Sequence, residues 1–173
     1  MSDLRGQLAP CFQKRVCLMG LGNVDYGDDG AGVHLAGELA QAGVPGVVIA
    51  GTTPERHLGR VADGKFGHLL FLDAVDFGGE PGSVVFLNSR EMAARFPQVS
   101  THKISLGLLS QWTEADGATR AWLLGVQPSS LQPSGALTEK VQTTLDVLKE
   151  LLVGLAFDGS RKPGASEALG GQV

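Results

Sequence analysis

Residues 16–32 have the sequence VCLMGLGNVDYGDDGAG, an apolar run that passes through a glycine-rich turn into two adjacent acids. An apolar strand followed by glycines and a helix is typical of folds that bind a phosphate at the start of the helix. Here Asp28 and Asp29 occupy that start, where their negative charge would repel a phosphate and attract a metal ion. The stretch therefore predicts an α/β fold with a metal-binding site after its first strand.

Composition limits the classes of function. At 173 residues the chain is long enough for one domain with a single core. Its 14 basic and 18 acidic residues give a net charge of −4, and no basic cluster suggests nucleic-acid binding. The sequence contains neither an apolar stretch of membrane-spanning length nor the apolar core of a signal peptide. We expect a cytoplasmic monomer that contacts neither nucleic acid nor membrane.

Strand-like and helix-like segments alternate along the chain. Apolar runs predict strands at residues 15–21, 47–50, 69–73, 83–87 and 121–126, and helical spacing predicts helices at 28–42, 54–62, 103–112 and 137–155. The turn at 78–82 is too short for a crossover helix, so the fourth strand should run antiparallel to the third. This alternation predicts a three-layer α/β/α sandwich around a mostly parallel, mixed, twisted sheet of about five strands.

The remaining segments are polar or irregular. Residues 90–102 form a polar region that is interrupted by a proline, and no element is predicted there. We divide the chain into an N-terminal extension at 1–14, a single α/β domain at 15–155 and a tail at 156–173. The tail is rich in Gly, Ser and charged residues, a composition typical of disorder.

Three potential metal ligands follow predicted strands or lie in loops that could reach the strand ends. Asp29 opens the helix after the first strand, Asp73 ends the third strand, and His102 lies in a loop before a helix. In an open α/β sheet the functional crevice lies at the carboxyl ends of the strands. Two carboxylates and an imidazole suit a borderline divalent ion such as nickel or zinc, and three ligands leave coordination positions open.

Each of these residues also has a purely structural explanation. Asp28 or Asp29 can cap a helix, but two acids exceed one cap, so we assign capping to Asp28 and metal binding to Asp29. Asp73 can accept hydrogen bonds from loop amides, and His102 can be a hydrogen-bonded loop residue. Asp28 and Asp76 are also candidates for residues that contact and orient the metal ligands without binding the metal. Periodicity alone does not establish that Asp29, Asp73 and His102 converge.

Other residues that could carry chemistry have weaker support. The sequence favours surface or packing roles for His34, His57 and His68, and a first-turn helix position for Glu55. The serines, Ser105 included, lack the G-x-S-x-G elbow of hydrolases. The two cysteines, Cys11 and Cys17, form neither a disulfide framework nor a pair with metal-binding spacing. Cys17 lies inside a predicted strand, where a reactive thiolate is disfavoured. A nucleophilic mechanism therefore has no support in the sequence.

Six short motifs occur in a fixed order between about residues 15 and 155. They are Gly22-Asn23, Gly27-Asp28-Asp29-Gly30-Ala31-Gly32, Leu72-Asp73-Ala74-Val75-Asp76-Phe77-Gly78, Glu80-Pro81-Gly82, Ser100-Thr101-His102-Lys103 with Leu106, and Gly125-Val126-Gln127-Pro128. Jointly they resemble the [NiFe]-hydrogenase maturation endopeptidases, which trim the C-terminus of the hydrogenase large subunit. The resemblance covers neither the first dozen residues nor the chain after Ala156.

The resemblance implies a mechanism in which nickel belongs to the substrate. Asp29, Asp73 and His102 would ligate the nickel of a loaded large-subunit precursor, with no organic cofactor involved. The protein would then be an aspartyl-type or metal-dependent endopeptidase that makes a single cut. The nickel would polarise the scissile carbonyl or deliver hydroxide, with Asp28 or Asp76 as a possible general base. The turn at residues 30–32 would let the partner's backbone approach closely.

Three alternatives remain open at this stage. Gly20-Leu21-Gly22 suggests a nucleotide-binding module, but the fingerprint requires a third glycine where the chain has Asp25. A non-catalytic, nickel-binding accessory protein would carry the same three ligands. A metallopeptidase with a resident zinc would more typically contain H-E-x-x-H, which is absent.

Overall fold

One five-stranded sheet forms the centre of the protein. The structure is a computed structural model, and it describes residues 3–96 and 104–158. The strands of this sheet are β1 (Val16–Leu21), β2 (Val47–Gly51), β3 (His68–Ala74), β4 (Val84–Asn88) and β5 (Arg120–Val126). Their spatial order is β2-β1-β3-β5-β4, with every neighbouring pair parallel except β4 and β5. The predicted mixed, mostly parallel sheet is confirmed.

Helices cover both faces of the sheet. They are α1 (Leu4–Leu8), α2 (Ala31–Gln41), α3 (Leu58–Asp63), α4 (Ser89–Arg95), α5 (Leu106–Glu114) and α6 (Glu139–Asp158), with 3₁₀ turns at Ala9–Gln13, Gly27–Gly30 and Pro54–His57. In the parts of the chain that the structure describes, no helix combines the length and the apolar character that crossing a membrane requires.

The central strands alternate their side chains between two cores. Leu18, Leu70 and Leu124 pack with α2 and α6 on one face, whereas Cys17 and Phe71, with others, pack with α3, α4 and α5 on the opposite face. Successive side chains of a strand point to opposite faces of the sheet. Because both faces are covered, the central strands must be apolar throughout, which is why continuous apolar runs predict them correctly.

The first predicted helix, 28–42, is divided in the structure. Residues 27–30 form a 3₁₀ turn, and α2 begins only at Ala31. The amides of Gly27 and Asp28 donate to the carbonyls of Ser134 and Ser130. The turn is thereby held by a distant loop.

The polar region 90–102 contains a helix that the sequence analysis does not predict. Asn88 and Glu91 form a reciprocal capping box at the start of α4, and Met92 anchors this helix in the core. A helix of seven residues, about two turns, carries too few apolar residues for a periodic signal. Residues 97–102 of this region lie outside the described residues.

The fourth strand runs in the predicted direction beside an unexpected neighbour. Strand β4 is antiparallel to the rest of the sheet, as the short turn before it predicts, but it pairs with β5. Strand β5 lies between β3 and β4 and pairs with both. A turn length fixes the direction of a strand and leaves its neighbour undetermined.

Both ends of the predicted domain differ from the division made on sequence. The segment 1–14 is helical from Leu4 to Gln13, and its Leu8, Cys11 and Phe12 are buried in the core beside α6. Helix α6 continues to Asp158, three residues beyond its predicted end. The rest of the predicted tail, residues 159–173, lies outside the described residues.

Candidate functional site

Two buried carboxylates lie at the carboxyl edge of the sheet. Asp29 belongs to the 3₁₀ turn that follows β1, and Asp73 is the penultimate residue of β3. Strands β1 and β3 are parallel neighbours, and the turn that carries Asp29 contacts β3. Each residue is only 4% exposed. The structure therefore brings two of the three predicted ligands to the same edge.

Asp29 lies in a small pocket. The backbone amide of Asn23 donates a 2.8 Å hydrogen bond to Oδ2 of Asp29 and orients the carboxylate. The pocket has a volume of about 300 Å³, and its lining residues are Asn23, Tyr26, Asp29, Thr52 and Leu131. A buried acid in a pocket of this size can face a metal ion or a substrate group. Sequence reasoning missed Tyr26, Thr52 and Leu131, since no periodic pattern joins three separate loops.

His102, the third predicted ligand, lies outside the described residues. Within residues 3–96 and 104–158, no group of three or more His, Cys, Asp or Glu side chains is arranged to hold a metal ion. The described part of the site therefore consists of two acids. Asp29 and Asp73 alone would be an incomplete set for a transition metal, which prefers at least three protein ligands.

Asp28 does not cap the helix that follows it, contrary to the prediction. Its Oδ2 accepts hydrogen bonds from the amides of Ser129 and Ser130 and from the Thr138 hydroxyl, and its Oδ1 accepts from the Thr138 amide. Burial alone would raise the pKa of Asp28, but these four bonds outweigh it and hold the pKa below its ordinary value. Asp28 is thus a fixed anion that anchors the loop between β5 and α6.

The glycines around Asp29 allow close contact between segments of this chain's own backbone. A Cβ atom on Gly32 would overlap the carbonyl oxygens of Leu72 and Leu21, so the start of α2 packs directly on β3 and β1. Gly22 has φ of +120°, and a Cβ there would overlap the carbonyl oxygen of Asp29. The expectation that the turn at 30–32 admits a partner's backbone is therefore wrong for Gly32, whose space its own strands fill.

Comparison with known proteins decides the family. The family model described as HycI, hydrogenase maturation protease, matches residues 33–154, a span that includes Asp73 and His102 and begins after Asp29. The chain belongs to the hydrogenase maturation protease family. Members of this family are peptidases, so the protease is an enzyme of the hydrolase class.

Individual relatives agree with this assignment. The protease is 30% identical over 145 residues to the hydrogenase 3 maturation protease of Escherichia coli K12, a match that covers 82% of this chain and 91% of the relative. A crystal structure of a [NiFe] hydrogenase maturation protease HycI from Thermococcus kodakarensis KOD1 superposes with a TM-score of 0.78 at 28% identity, covering 87% and 99% of the two chains. The hydrogenase maturating endopeptidase HybD from E. coli has a TM-score of 0.70 at 27% identity, covering 85% and 94%.

Asp76 follows β3 in a loop that Gln127 holds in place. The buried Gln127 amide donates from Nε2 to Oδ1 of Asp76 at 3.0 Å, and its Oε1 accepts from the amides of Phe77 and Gly79. The Gln127 bond, followed by one from the Gly78 amide, lowers the pKa of the exposed Asp76 carboxylate. Gln127 therefore holds the loop that carries Asp76, a role that its place in the Gly125-Val126-Gln127-Pro128 motif did not indicate.

Most of the remaining candidates have structural roles in the protease. His68 begins β3, at the opposite end of the strand from Asp73, and its Nδ1 accepts a bond from Trp122. Ser105 caps α5 through the Leu108 amide. Burial raises the pKa of Cys17 to about 12, which keeps its thiol protonated and unreactive. Glu55 lies after β2, and its buried Oε2 has no hydrogen-bond partner among the described residues.

Proposed function

We propose that this protein removes the C-terminal extension of a [NiFe]-hydrogenase large-subunit precursor after nickel has been inserted. The observation that carries the proposal is the pair of buried carboxylates, Asp29 and Asp73, at adjacent strand ends in a member of a maturation protease family. A relative of similar fold is described as a [NiFe] hydrogenase maturation protease. We further propose that the protein acts in the cytoplasm as a monomer.

In the proposed reaction, nickel arrives as part of the substrate. Asp29, Asp73 and His102 ligate nickel that the precursor presents, so that only a loaded precursor is held for cleavage. Carboxylate and imidazole ligands fit a borderline divalent ion. The Asn23 bond to Oδ2 orients Asp29 before the ion arrives, and preorganised ligands lose less entropy on binding. An immature precursor lacks this anchor and is therefore spared.

The residues around the acids limit how the peptide bond is broken. The nickel of the precursor can polarise the scissile carbonyl or lower the pKa of a bound water. Asp28, a candidate general base on sequence, is unsuited to that role because four hydrogen bonds occupy it and its pKa is lowered. The pKa of Asp76 is also lowered, which weakens it as a base. We therefore propose that the nickel of the precursor, and neither Asp28 nor Asp76, activates the attacking water.

Intact-mass spectrometry of precursor incubated with the purified protein tests the proposal. Nickel-loaded and nickel-free precursors are incubated in parallel, and we expect one C-terminal peptide to be lost from the loaded form only. Cleavage of both forms would indicate a metallopeptidase with its own metal. Binding without any cleavage would indicate a non-catalytic accessory protein. Either result would refute the proposed mechanism.

Substitution of the three proposed ligands tests the site. Asp29→Asn, Asp73→Asn and His102→Gln should each abolish processing, since an amide oxygen or nitrogen is a much weaker ligand than a carboxylate or an imidazole. The exposed Asp25 provides a matched control, and Asp25→Asn should process at the normal rate. Normal processing by all three ligand variants would show that the site is assigned to the wrong residues.

A further inference from the structure

We propose that Tyr26 and Leu131 form the mouth of a pocket that receives one large apolar side chain of the precursor, next to the bond that is cut. The inference rests on the proposed function and extends it to the recognition of the peptide. It concerns residues that lie beside Asp29 and outside the proposed ligand set.

The two residues expose apolar surface at the same pocket from different parts of the chain. Tyr26 and Leu131 are each 46% exposed, and both line the pocket that contains Asp29. Single exposed apolar side chains are common on protein surfaces and need no explanation. Two that converge on a concave site with a buried carboxylate are typical of a binding pocket.

Backbone hydrogen bonds between two loops hold the mouth in place. Tyr26 forms an isolated parallel β-bridge with Ser134, and the Ser134 amide donates to the Asp25 carbonyl at 2.9 Å. The Asp28 amide donates to the carbonyl of Ser130, next to Leu131, at 3.0 Å. The Asp28 carboxylate also accepts hydrogen bonds from the amides of Ser129 and Ser130. A mouth that is ordered in advance loses little entropy when a ligand binds.

The pocket suits a single apolar side chain. A volume of about 300 Å³ is enough for one large residue and too small for a folded element. Among its lining residues, Tyr26 and Leu131 are the exposed large apolar side chains, and they favour an apolar occupant. A basic side chain would instead be drawn to Asp29 and would compete there with the proposed nickel. We therefore infer an apolar occupant, which places the neighbouring peptide bond beside Asp29.

Steady-state kinetics with paired changes in enzyme and substrate test the inference. The enzyme variants are Tyr26→Ser and Leu131→Ser, with Val147→Ser as the control. Val147 is 63% exposed on α6 and does not line the pocket. The substrates are nickel-loaded precursors in which each apolar residue within three positions of the cleaved bond is replaced by Ser or by Lys.

We expect one Ser replacement in the precursor to raise KM about tenfold for the wild-type enzyme, with a smaller change in kcat. Tyr26→Ser and Leu131→Ser should raise KM by a similar factor for the natural precursor and show no further penalty with the Ser-substituted precursor. Val147→Ser should behave as wild type. Unchanged KM, a full substrate penalty in both Ser variants, or a preference for the Lys-substituted precursor would overturn the inference.

Binding measurements keep this test separate from the test of the proposed function. If the wild-type enzyme binds the loaded precursor without cleaving it, the proposed protease function fails. Weaker binding by Tyr26→Ser and Leu131→Ser, but not by Val147→Ser, would then still support the pocket. Equal binding by all variants would overturn the pocket alone. If the wild-type enzyme neither binds nor cleaves the precursor, both proposals are overturned.

Discussion

Asp28 and Asp29 are adjacent acids with different surroundings. The four hydrogen bonds that Asp28 accepts come from residues 101 to 110 positions later in the chain. Asp29 accepts from Asn23, six residues earlier, and faces the pocket. One acid therefore braces the loop that completes the pocket, and its neighbour lies inside that pocket. Asp28→Asn should therefore affect mainly stability, and Asp29→Asn mainly processing.

Asp28→Asn should destabilise the fold. The amide would point an N–H group at one of the amide or hydroxyl donors that now bond to the carboxylate, and a buried unsatisfied donor costs about 1–3 kcal/mol. Urea unfolding should report a loss of this size in the free energy of unfolding. Asp25→Asn on the nearby exposed position should change it by less than about 0.5 kcal/mol. Equal stability of the two variants would contradict the bracing role.

The Asp28 contribution should also depend on pH. Since the folded-state pKa lies below the ordinary value of 3.8, the stabilisation is present above pH 3.8 and is lost as the pH falls through the folded pKa. Asn does not titrate in this range. The difference in unfolding free energy between wild type and Asp28→Asn should therefore narrow between pH 7 and pH 3. A difference that is constant over this range would exclude a depressed pKa.

His68 should make stability fall on mild acidification. Burial, and then the positive charges of Lys14 and Arg120, lower its pKa from the ordinary 6.5, and the neutral ring accepts a bond from the Trp122 indole. Below pH 6.5 the unfolded chain binds a proton that the folded protein resists, so the unfolded state gains stability. His68→Gln should flatten the fall in unfolding free energy between pH 7.5 and 5.5. If the unfolding free energy of His68→Gln fell as steeply with pH as that of the wild type, a group other than His68 would cause the fall.

At the scale of elements, the junction of α2 with the sheet depends on close backbone contact. Gly32 lies where a side chain would overlap backbone carbonyls of β1 and β3, whereas Gly37, in the same helix, has open space around it. The turn that carries Asp29 immediately precedes this junction. Packing of α2 on the strands therefore sets the position of the candidate site.

Gly32→Ala should lower the free energy of unfolding by more than about 2 kcal/mol, because the helix must move away from two strands. Gly37→Ala serves as the matched control and should raise it by about 0.5–1 kcal/mol, since alanine loses less backbone entropy in a helix. Chemical denaturation of both variants measures the difference. A mild effect of Gly32→Ala, comparable to that of Gly37→Ala, would show that the junction is loose.

At the scale of the whole molecule, the first residues belong to the main core. Leu8 is fully buried beside α6, whereas Arg5 forms an exposed ion pair with Asp158 of the same helix at 2.8 Å. The chain thus joins its first and last described helices by an apolar contact and by a charged one. The two contacts should differ greatly in strength.

Leu8→Ala should reduce the unfolding free energy by about 2–5 kcal/mol through lost apolar contact and a cavity. Arg5→Ala should cost less than about 1 kcal/mol, because exposed ion pairs are screened by solvent. Thermal or urea unfolding of the two variants makes the comparison. If Leu8→Ala proved as mild as Arg5→Ala, the N-terminal segment would be only loosely attached to the core.

The sequence by itself determined the local elements and the chemistry at their ends. Strands covered on both faces must be apolar throughout, so their positions follow from runs such as 69–73. Asp73 ends an apolar run and Asp29 follows a strand and its glycine-rich turn, so both are recognisable as candidates because the functional crevice of an open α/β sheet lies at its strand ends. The short helix α4 escaped prediction because about two turns carry too little periodicity.

Only the tertiary structure decided which distant residues meet. Strand β5 lies between β3 and β4, Asp28 binds a loop more than a hundred residues away, and Gln127 braces the loop around Asp76. Tyr26 and Leu131 share one pocket for the same reason. Such contacts depend on how elements pack in space, whereas periodicity reports only the environment of each residue along its own element. The fold class was therefore readable from the sequence, and the walls of the pocket were not.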